Sequence, residues 1–430
     1  KNKTLGDSSM EAFEKLTPFM LKAGIVEVGR DRLRQVKNRL AFILVTEDLS
    51  QNSLEKLMSS FACPVYRCLQ SSDLARLFGY QGTKVLGFRR SPLSESALAA
   101  LKGYRLSKEA AMLPASPRVV VLGASGIGRH HCNWWRLEGS MPSAVLGSSQ
   151  ESVEKTVAAL RDYCGFEGKG YVCLDELLDQ EQPDIVDVCL PPRMHYAAVK
   201  TALTAGCHVL CEKPFVYDDA LPHDLLHEQA AELCELGRQK RRLLGVCTQY
   251  VMAVRECRRL FGEQAGAAAI TDFAGRLVSP TRNRPPVPAW TWVDLAPHML
   301  ACVQVLSDGN EPDWDSLQVH FDGHLADAEF RCPRPGQPDL QCRIHTFHTD
   351  TEPKNVRQLE LNGNTYDIGG YRDEEGVFQM EITSPFGSVK RPDMMRQLIR
   401  SFRQGRVEMT PEMAIQNLDW MLRVIERGQA

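Results

Sequence analysis

The sequence of 430 residues has no run of eighteen or more apolar residues, which is about the length that a helix needs to span a bilayer. Its first residues, KNKTLGDSSMEAFEKL, have no apolar core of the kind found in signal peptides. The fourteen cysteines form no C-x-x-C pair, which favours reduced, mostly buried thiols over a disulfide framework or a zinc site. We therefore expect a cytoplasmic protein with neither a membrane segment nor a metal centre.

The net charge is also small, at -3, but it is unevenly distributed. Residues 21–105 contain 14 Lys and Arg against 7 Asp and Glu, so the remainder of the chain is acidic. The chain is longer than one hydrophobic core comfortably holds, which predicts two or three domains. A basic segment ahead of an acidic one suggests that these domains have different partners.

Helical and strand patterns alternate through the first hundred residues. LAFILVTED, CPVYRCL and TKVLGF are typical of strands, and helical patterns separate them. This alternation predicts a three-layer α/β/α sandwich, which we assign to residues 1–105. The segment contains no phosphate loop and no cluster of acid-base residues.

Residues 16–103 resemble the ribosomal kink-turn RNA-binding family in its bacterial form. The resemblance rests on AGIVEVGRDRLRQVKNRLAFILVTEDLSQNSLEKL and CPVYRCLQSSDLARLFG. It implies RNA contacts at a helix start and at a later loop, whose matching positions are Gly29, Arg30, Asp31 and Arg32, and Phe88, Arg89 and Arg90. Arg30-Asp31 replaces the Asn-Glu pair of the archaeal and eukaryotic members, so the expected contacts are electrostatic ones to phosphates, mainly through Arg30, Arg32, Arg89 and Arg90. A docking or dimerisation domain, or a solvated helix face, is the alternative.

A proline-containing stretch at residues 106–117 predicts a linker, with a boundary near Pro114. The following RVVVLGASGIGRHH predicts a strand, a glycine turn and a helix, the arrangement in which helix amides face a pyrophosphate. The candidate cofactor-binding residues of this turn are Gly123, Ser125, Gly126, Ile127 and Gly128. Ser125 occupies the second glycine position of G-x-G-x-x-G, and its small side chain still permits close approach.

The second strand, SAVLGSS, does not end on the acidic residue that binds the ribose diol in NAD enzymes. Ser148 and Ser149 stand at that end instead, and Lys155 follows. These residues leave room and hydroxyl donors for a 2′-phosphate. We therefore predict NADP as the preferred cofactor, with NAD as the alternative, in a Rossmann domain covering residues 118–248.

Two further segments complete the nucleotide domain. LPPRMHYAAVKTAL places Leu190, Pro191 and His195 after a strand, and CHVLCEKPFV brings Glu212 and Lys213 to a strand end. Taken singly, these are a helix cap or packing residue at His195 and a surface turn at Glu212-Lys213. In their order and spacing with GASGIGRHH, they resemble the glucose–fructose oxidoreductase and inositol dehydrogenase family, Gfo/Idh/MocA, from about residue 118 to the C-terminus. The resemblance implies that all five residues named here line the cofactor.

Residues 249–430 are predicted to form an α+β domain with an open, mostly antiparallel sheet. Several period-2 segments are separated by turn residues, and Asn362-Gly363 is a strong hairpin signal. AWTWVDLAPHMLACVQVL places Asp294 and His298 on one helical face. Taken alone, these two residues are a cap and a packed core histidine, whereas family members contribute D-x-x-x-H to the active site. A homo-oligomer formed through the sheet is expected.

The resemblance implies hydride transfer between NADP or NAD and a hydroxyl or carbonyl carbon of a sugar, cyclitol or related polyol. His298 is then the general acid/base, Lys213 binds the reacting oxygen, and Asp294 orients the substrate or supports His298. Two other classes of function are open. One is an RNA-associated protein that uses the oxidoreductase fold for docking, and the other is a cofactor-binding regulator without turnover.

Overall fold

The computed structural model describes residues 6–61, 63–101, 104–106, 113–266 and 268–429. It divides the chain into two compact units, Lys1–Ala115 and Ser116–Ala430. The domain bounds drawn from the sequence, including a separation at residue 248, stay predictions. Residues 107–112 of the predicted linker lie outside the described residues. Within the described residues, no helix is both long and apolar enough to cross a membrane.

The first unit is built on a five-stranded sheet in the order β1-β4-β2-β3-β5. The strands β2 and β3 are parallel and the other pairs are antiparallel. Its elements are α1 (Gly6–Lys22), β1 (Val26–Val28), α2 (Arg30–Gln35), β2 (Leu40–Val45), α3 (Gln51–Ser60), β3 (Val65–Arg67), α4 (Ser71–Phe78), β4 (Val85–Arg89), α5 (Pro92–Ala100) and β5 (Arg105–Leu106).

Apolar side chains cover both faces of this sheet because successive residues of a strand point to opposite sides. Phe42 and Leu44 pack with α1, α4 and α5 on one face, and Ile43 and Val45 pack with α2 and α3 on the other. The predicted three-layer α/β/α sandwich is therefore confirmed. Phe88 is fully buried in the first of these layers.

The second unit begins with a six-stranded, entirely parallel sheet in the order β11-β10-β9-β6-β7-β8. The strand order reverses at β6, and the crevice at the carboxyl ends of the strands there is where doubly wound sheets bind nucleotides. The strands are β6 (Val119–Leu122), β7 (Ala144–Leu146), β8 (Lys169–Tyr171), β9 (Ile185–Val188), β10 (His208–Glu212) and β11 (Leu244–Cys247). The helices are α6 (Ile127–Leu137), α7 (Gln150–Cys164), α8 (Leu174–Glu181), α9 (His195–Thr204) and α10 (His223–Lys240).

The rest of this unit is an eight-stranded sheet in the order β13-β14-β15-β12-β16-β17-β18-β19, packed against helices. Of these described pairs, only β12 and β15 run parallel. The strands are β12 (Asp272–Ser279), β13 (Asp313–Asp322), β14 (Leu325–Cys332), β15 (Leu340–His348), β16 (Val356–Leu361), β17 (Asn364–Arg372), β18 (Phe378–Ser384) and β19 (Gly387–Pro392). The helices are α11 (Tyr250–Ala265), α12 (Pro288–Leu306), α13 (Met394–Arg403) and α14 (Pro411–Gln429).

The mostly antiparallel character of this sheet and its hairpin at Asn362-Gly363 agree with the sequence. Asn362 has φ +47° and Gly363 has φ +77°, the backbone that a two-residue turn between strands requires. The central strand β12, the edge strand β19 and its neighbour β18 were not predicted from the sequence. All fourteen cysteines lie within the described residues and are free thiols, twelve of them buried.

Candidate active site

The glycine turn between β6 and α6 has little space behind it and open space in front. Gly123 has φ +85°, and a Cβ added there would lie 2.7 Å from the carbonyl oxygen of Cys189. A Cβ at Gly128 would lie 2.5 Å from the carbonyl oxygen of Gly123. Nothing lies within 4 Å of a Cβ built on Gly126. Packing therefore requires glycine at the first and last positions, while the middle of the turn faces outward at the start of a helix.

Ser125 is exposed on this outward side. A side chain at this position therefore does not disturb the packing of the turn. Ile127 is 45% exposed and lines the adjoining cleft together with Leu190 and Pro191. These residues leave the helix start accessible, which fits a bound pyrophosphate.

The end of β7 carries Ser148 and Ser149, which are both exposed. The Ser149 hydroxyl accepts a hydrogen bond from the Ser152 amide at 3.2 Å and so caps α7. Lys155 forms an ion pair with Glu151 at 2.6 Å, one turn along the same helix. Ser148 is therefore the side chain at this strand end that is not engaged in capping.

His195 is fully buried at the start of α9. Its Nδ1 lies 2.9 Å from the Pro214 carbonyl oxygen and its Nε2 lies 2.7 Å from the Leu190 carbonyl oxygen. Burial lowers the pKa of this imidazole. His195 therefore lies between the segments that follow β9 and β10, beneath the surface of the cleft, and its neutral ring donates to one of the two carbonyl oxygens.

Lys213 follows β10 directly, and its ammonium group reaches across to α12. Its Nζ donates to Asp294 Oδ1 at 3.0 Å and to the Asp294 carbonyl oxygen at 2.5 Å. Its backbone amide donates to Glu212 Oε2 at 3.1 Å, and the bond between Lys213 and Pro214 is cis. The side chain is 15% exposed, so the lysine is held inside the cleft by the carboxylate on the opposite wall.

Asp294 contacts three positively charged or hydrogen-donating groups. In addition to Lys213, its Oδ2 lies 3.1 Å from Arg284 Nη1 and 3.1 Å from His348 Nε2. Burial alone raises the pKa of Asp294, but Lys213, His348 and Arg284 outweigh it and hold the pKa well below its usual value. Asp294 is therefore an anion at neutral pH, and its contacts run to Lys213 and His348.

The imidazole of His298, one turn further along α12, is 8% exposed and lines the same cleft. Burial, reinforced by the charge of Lys213, lowers the pKa of His298 to about 3. Its Nδ1 is buried and has no hydrogen-bond partner among the described residues. The result is a neutral imidazole in the wall of the cleft, with one buried nitrogen that has no partner among the described residues.

One cleft of about 590 Å³ in the second unit is lined by seven of the predicted site residues: Ile127, Leu190, Pro191, Glu212, Lys213, Asp294 and His298. The glycine turn and the strand ends of the parallel sheet form one wall, and α12 with the loop before it forms the other. The sequence patterns indicated the residues on α6, β10 and α12. They did not indicate Arg284, which lies in the loop before α12, or His348, which is brought to this wall by the pairing of β15 with β12.

The comparison with protein families bears on the parallel-sheet part of this unit. A family model described as an oxidoreductase family with an NAD-binding Rossmann fold matches residues 117–247. These residues form a Gfo/Idh/MocA domain. The Gfo/Idh/MocA domain contains the glycine turn, His195, Glu212 and Lys213, whereas Asp294 and His298 lie beyond the matched residues.

Curated relatives match the chain over short stretches. D-glucoside 3-dehydrogenase of Escherichia coli is 30% identical over 139 residues, which are 32% of this chain and 36% of that protein. UDP-N-acetylglucosamine 3-dehydrogenase of Acidithiobacillus ferrooxidans is 26% identical over 129 residues, which are 30% and 36% of the two chains. An uncharacterized oxidoreductase of Schizosaccharomyces pombe is 45% identical over 76 residues, 18% of each. The chain spans about a fifth to a third of the length of these relatives.

Solved structures match over a longer part. The structure of UDP-N-acetylglucosamine 3-dehydrogenase from Acidithiobacillus ferrooxidans has a TM-score of 0.55 at 18% identity, covering 73% of this chain and 98% of that one. Levoglucosan dehydrogenase in complex with NADH and levoglucosan has a TM-score of 0.55 at 13% identity, covering 73% and 97%. The fold that follows the Gfo/Idh/MocA domain is therefore shared with these dehydrogenases.

In the first unit, two of the arginines predicted to contact RNA are engaged with one internal carboxylate. Arg32 and Arg89 both form ion pairs with Glu27, at 2.8 and 2.9 Å. Arg90 is exposed, and the side chain of Arg30 lies outside the described part of the structure. RNA binding by this unit stays a prediction, as does the homo-oligomer.

Proposed function

We propose that the second unit is an NAD(P)-dependent dehydrogenase that transfers a hydride to or from a CH–OH carbon of a sugar, cyclitol or related polyol. The observation that carries the proposal is the meeting of Lys213, Asp294 and the neutral His298 in one cleft below a glycine turn. This set provides a cation, an anion and a proton acceptor within reach of one bound molecule. The Gfo/Idh/MocA match over residues 117–247 supports the same reading.

The groups that would hold the cofactor lie around the crevice at the carboxyl ends of the parallel strands. The start of α6 at Gly126 and Ile127 would face the pyrophosphate, because helix N-termini favour anions. Leu190 and Pro191 would support the nicotinamide end beside Glu212. When bound, the nicotinamide would supply the hydride acceptor or donor, and the protein would supply orientation and proton transfer.

Proton transfer falls to the residues on α12 and to Lys213. The His298 imidazole lines the cleft in its neutral form and would accept a proton from the substrate hydroxyl, or hydrogen-bond to it. The Lys213 ammonium would bind the same oxygen and stabilise negative charge developing on it. Asp294 would fix the position of the ammonium group through their ion pair.

We further propose NADP as the preferred cofactor. No carboxylate stands at the end of β7 to bind a ribose diol or to repel a 2′-phosphate, since residues 147–149 are Gly, Ser and Ser. The exposed hydroxyl of Ser148 would donate to that phosphate, and Lys155 lies on the adjoining helix. The Kd ratio of NADP+ to NAD+ tests this directly, and a tighter Kd for NAD+ would contradict it.

Intrinsic fluorescence is a suitable first test because all six tryptophans lie in the second unit. Trp290 is 42% exposed and lines the cleft. We expect NADP+ or NAD+ to quench this fluorescence and to raise the melting temperature, and mass spectrometry of copurified ligands would then narrow the substrate. A protein for which neither cofactor changes fluorescence or melting would not be a nicotinamide enzyme.

A further inference from the structure

A buried imidazole lies between two carboxylates directly behind the Lys213 turn. His131, on α6, has no exposed surface. Its Nδ1 lies 2.8 Å from Asp187 Oδ2 on β9, and its Nε2 lies 3.0 Å from Glu212 Oε1 at the end of β10. One histidine therefore joins a helix and two neighbouring strands at the carboxyl edge of the sheet.

The two contacts together determine the charge of this imidazole. A neutral imidazole has one N–H, so it could donate to only one of the two carboxylates. Asp187 is fully buried and the Glu212 side chain is 12% exposed. A neutral ring would turn a nitrogen lone pair towards one of these carboxylates and would leave both buried anions without this positive charge, which is strongly disfavoured. Burial alone lowers the pKa of His131, but Asp187 and Glu212 outweigh it and raise the pKa to about 10.

The other groups around His131 do not replace it as a source of positive charge. Trp135 Nε1 donates to the same oxygen of Asp187 at 2.6 Å, but it is neutral. The nearby thiols on α6, β9 and β11 are neutral too, because burial raises their pKa values: Cys132, Cys189 and Cys247. The charges of Lys213 and, were it protonated, His298 act on Glu212 from its other side.

Glu212 passes the effect of His131 on to the lysine. One of its oxygens accepts from His131 and the other accepts from the Lys213 backbone amide at 3.1 Å. Beyond that amide, the Lys213 ammonium is paired with Asp294. A chain of alternating charges thus runs from the interior of the parallel sheet to the opposite wall of the cleft.

We propose that His131 is a positioning residue, a buried imidazolium that keeps Glu212 ionised and fixed and thereby sets the place of Lys213. The proposal rests on the proposed function, because Lys213 is the group whose position matters. His131 has no exposed surface and does not line the cleft, so it acts through Glu212. A charged His131 also explains why the buried acidic residue Glu212 precedes Lys213, at a position where an apolar residue would pack more easily.

The charge of His131 is measurable without turnover. In full-length protein with 15N-labelled histidine, both ring nitrogens of His131 should remain protonated between about pH 6 and pH 9. The signal is assigned as the one missing from His131→Gln, or, if that variant does not fold, as the one most shifted in Asp187→Asn. A neutral His131 at about pH 7 would overturn the proposal.

A second measurement follows the carboxylate. With 13C-labelled glutamate, Glu212 should be ionised at neutral pH in the wild-type protein and should titrate at a higher pH in His131→Gln, because its cationic partner is gone. His130→Gln is the matched control. His130 is the neighbouring residue, and its Nδ1 bonds the Tyr163 hydroxyl at 3.0 Å, on another side of the helix. An unchanged Glu212 titration in a folded His131→Gln protein would overturn the proposal.

Kinetics separate positioning from a purely structural role. We expect His131→Gln to lower kcat by about 10- to 100-fold, as displacement of a catalytic group does. The KM for the cofactor should stay within about threefold, and the kcat profile should gain an ionisation from Glu212. Equal kcat and an equal pH profile in the folded variant would contradict the proposal. If the wild-type protein turned over no polyol, that result would count against the proposed function only. The role of His131 would still be decided by the two NMR titrations, which need no turnover.

Discussion

Two buried histidines near the Glu212–Lys213 turn differ in their surroundings and therefore in their charge. His131 lies between two carboxylates, and its pKa is raised to about 10. His298 is buried beside the Lys213 ammonium, and its pKa is lowered to about 3. Burial lowers both values, so the neighbours decide the outcome. His131 therefore carries a fixed positive charge in the interior of the sheet, whereas His298 is a neutral proton acceptor in the cleft.

Lys213 stands between the two imidazoles, and its removal should have the largest effect. We expect Lys213→Met to reduce kcat by about 10³- to 10⁴-fold, at the upper end of what a single group in proton transfer contributes. Cofactor Kd should change little, since the glycine turn is untouched. The matched control is Lys200→Met, because Lys200 pairs with Glu232 away from the cleft at 2.7 Å. Retained turnover in Lys213→Met would refute the role given to this residue.

The neutral histidine should be the next most sensitive position. His298→Gln keeps a hydrogen-bonding side chain but cannot accept a proton, and it should lower kcat by about 10²-fold. Because the pKa of His298 is about 3, the wild-type kcat should show no ionisation of this group between about pH 5 and pH 9. A kinetic pKa near the usual histidine value that disappears in His298→Gln would contradict the neutral assignment.

The positive charge of His131 should make the stability of the second unit depend on pH. A group whose pKa is raised on folding stabilises the protein fully below its unfolded pKa and loses this contribution as the pH rises through its folded value. His131 should therefore make the second unit less stable as the pH rises from about 6.5 towards about 10. The urea midpoint, followed by tryptophan fluorescence, should therefore fall over this pH range. His131→Gln should lack this part of the slope, and an identical slope would contradict the assignment.

The smallest effect on kcat is expected for a substitution of His348, which contacts Asp294. His348 donates to Asp294 Oδ2 at 3.1 Å, but Lys213 and Arg284 remain when it is removed. We therefore expect His348→Gln to lower kcat by about tenfold. His345→Gln is the control, since His345 lies on the same strand but pairs with Asp327 at 2.9 Å. Equal losses in both variants would show that the effect comes from the strand and not from Asp294.

Local patterns were sufficient to predict much of the second unit. The glycine turn, the charged residues after β10 and the pair on α12 each lie within a short stretch whose element type is visible from its periodicity. The strands β12 and β19 were missed because their sequences, DFAGRLVS and GSVKRP, alternate weakly or begin with glycine. Strand β18 was missed too, although its sequence, FQMEITS, alternates apolar and polar residues regularly and this period-2 pattern was sufficient to predict it. Strand β12 is stabilised by pairing with β15 and β16, which are distant in the sequence, and no local pattern reports that pairing.

The charged contacts around the site could not be predicted from the sequence either, because the side chains that meet there are far apart in the chain. His131 and Asp187 are 56 residues apart, and Asp294 and His348 are 54 apart. The expected support of His298 by Asp294 came from their spacing on one helix, yet the contacts of Asp294 run to Lys213, Arg284 and His348. Spacing places two residues on one face, but it does not determine which distant side chain approaches that face.

The most direct test of the account is a crystal structure of the full chain soaked with NADP+ or NAD+. The account predicts a pyrophosphate at the glycine turn of residues 123–128 and a nicotinamide ring beside Glu212 and Lys213, facing His298. A cofactor bound elsewhere, or a nicotinamide ring out of reach of Lys213 and His298, would contradict it.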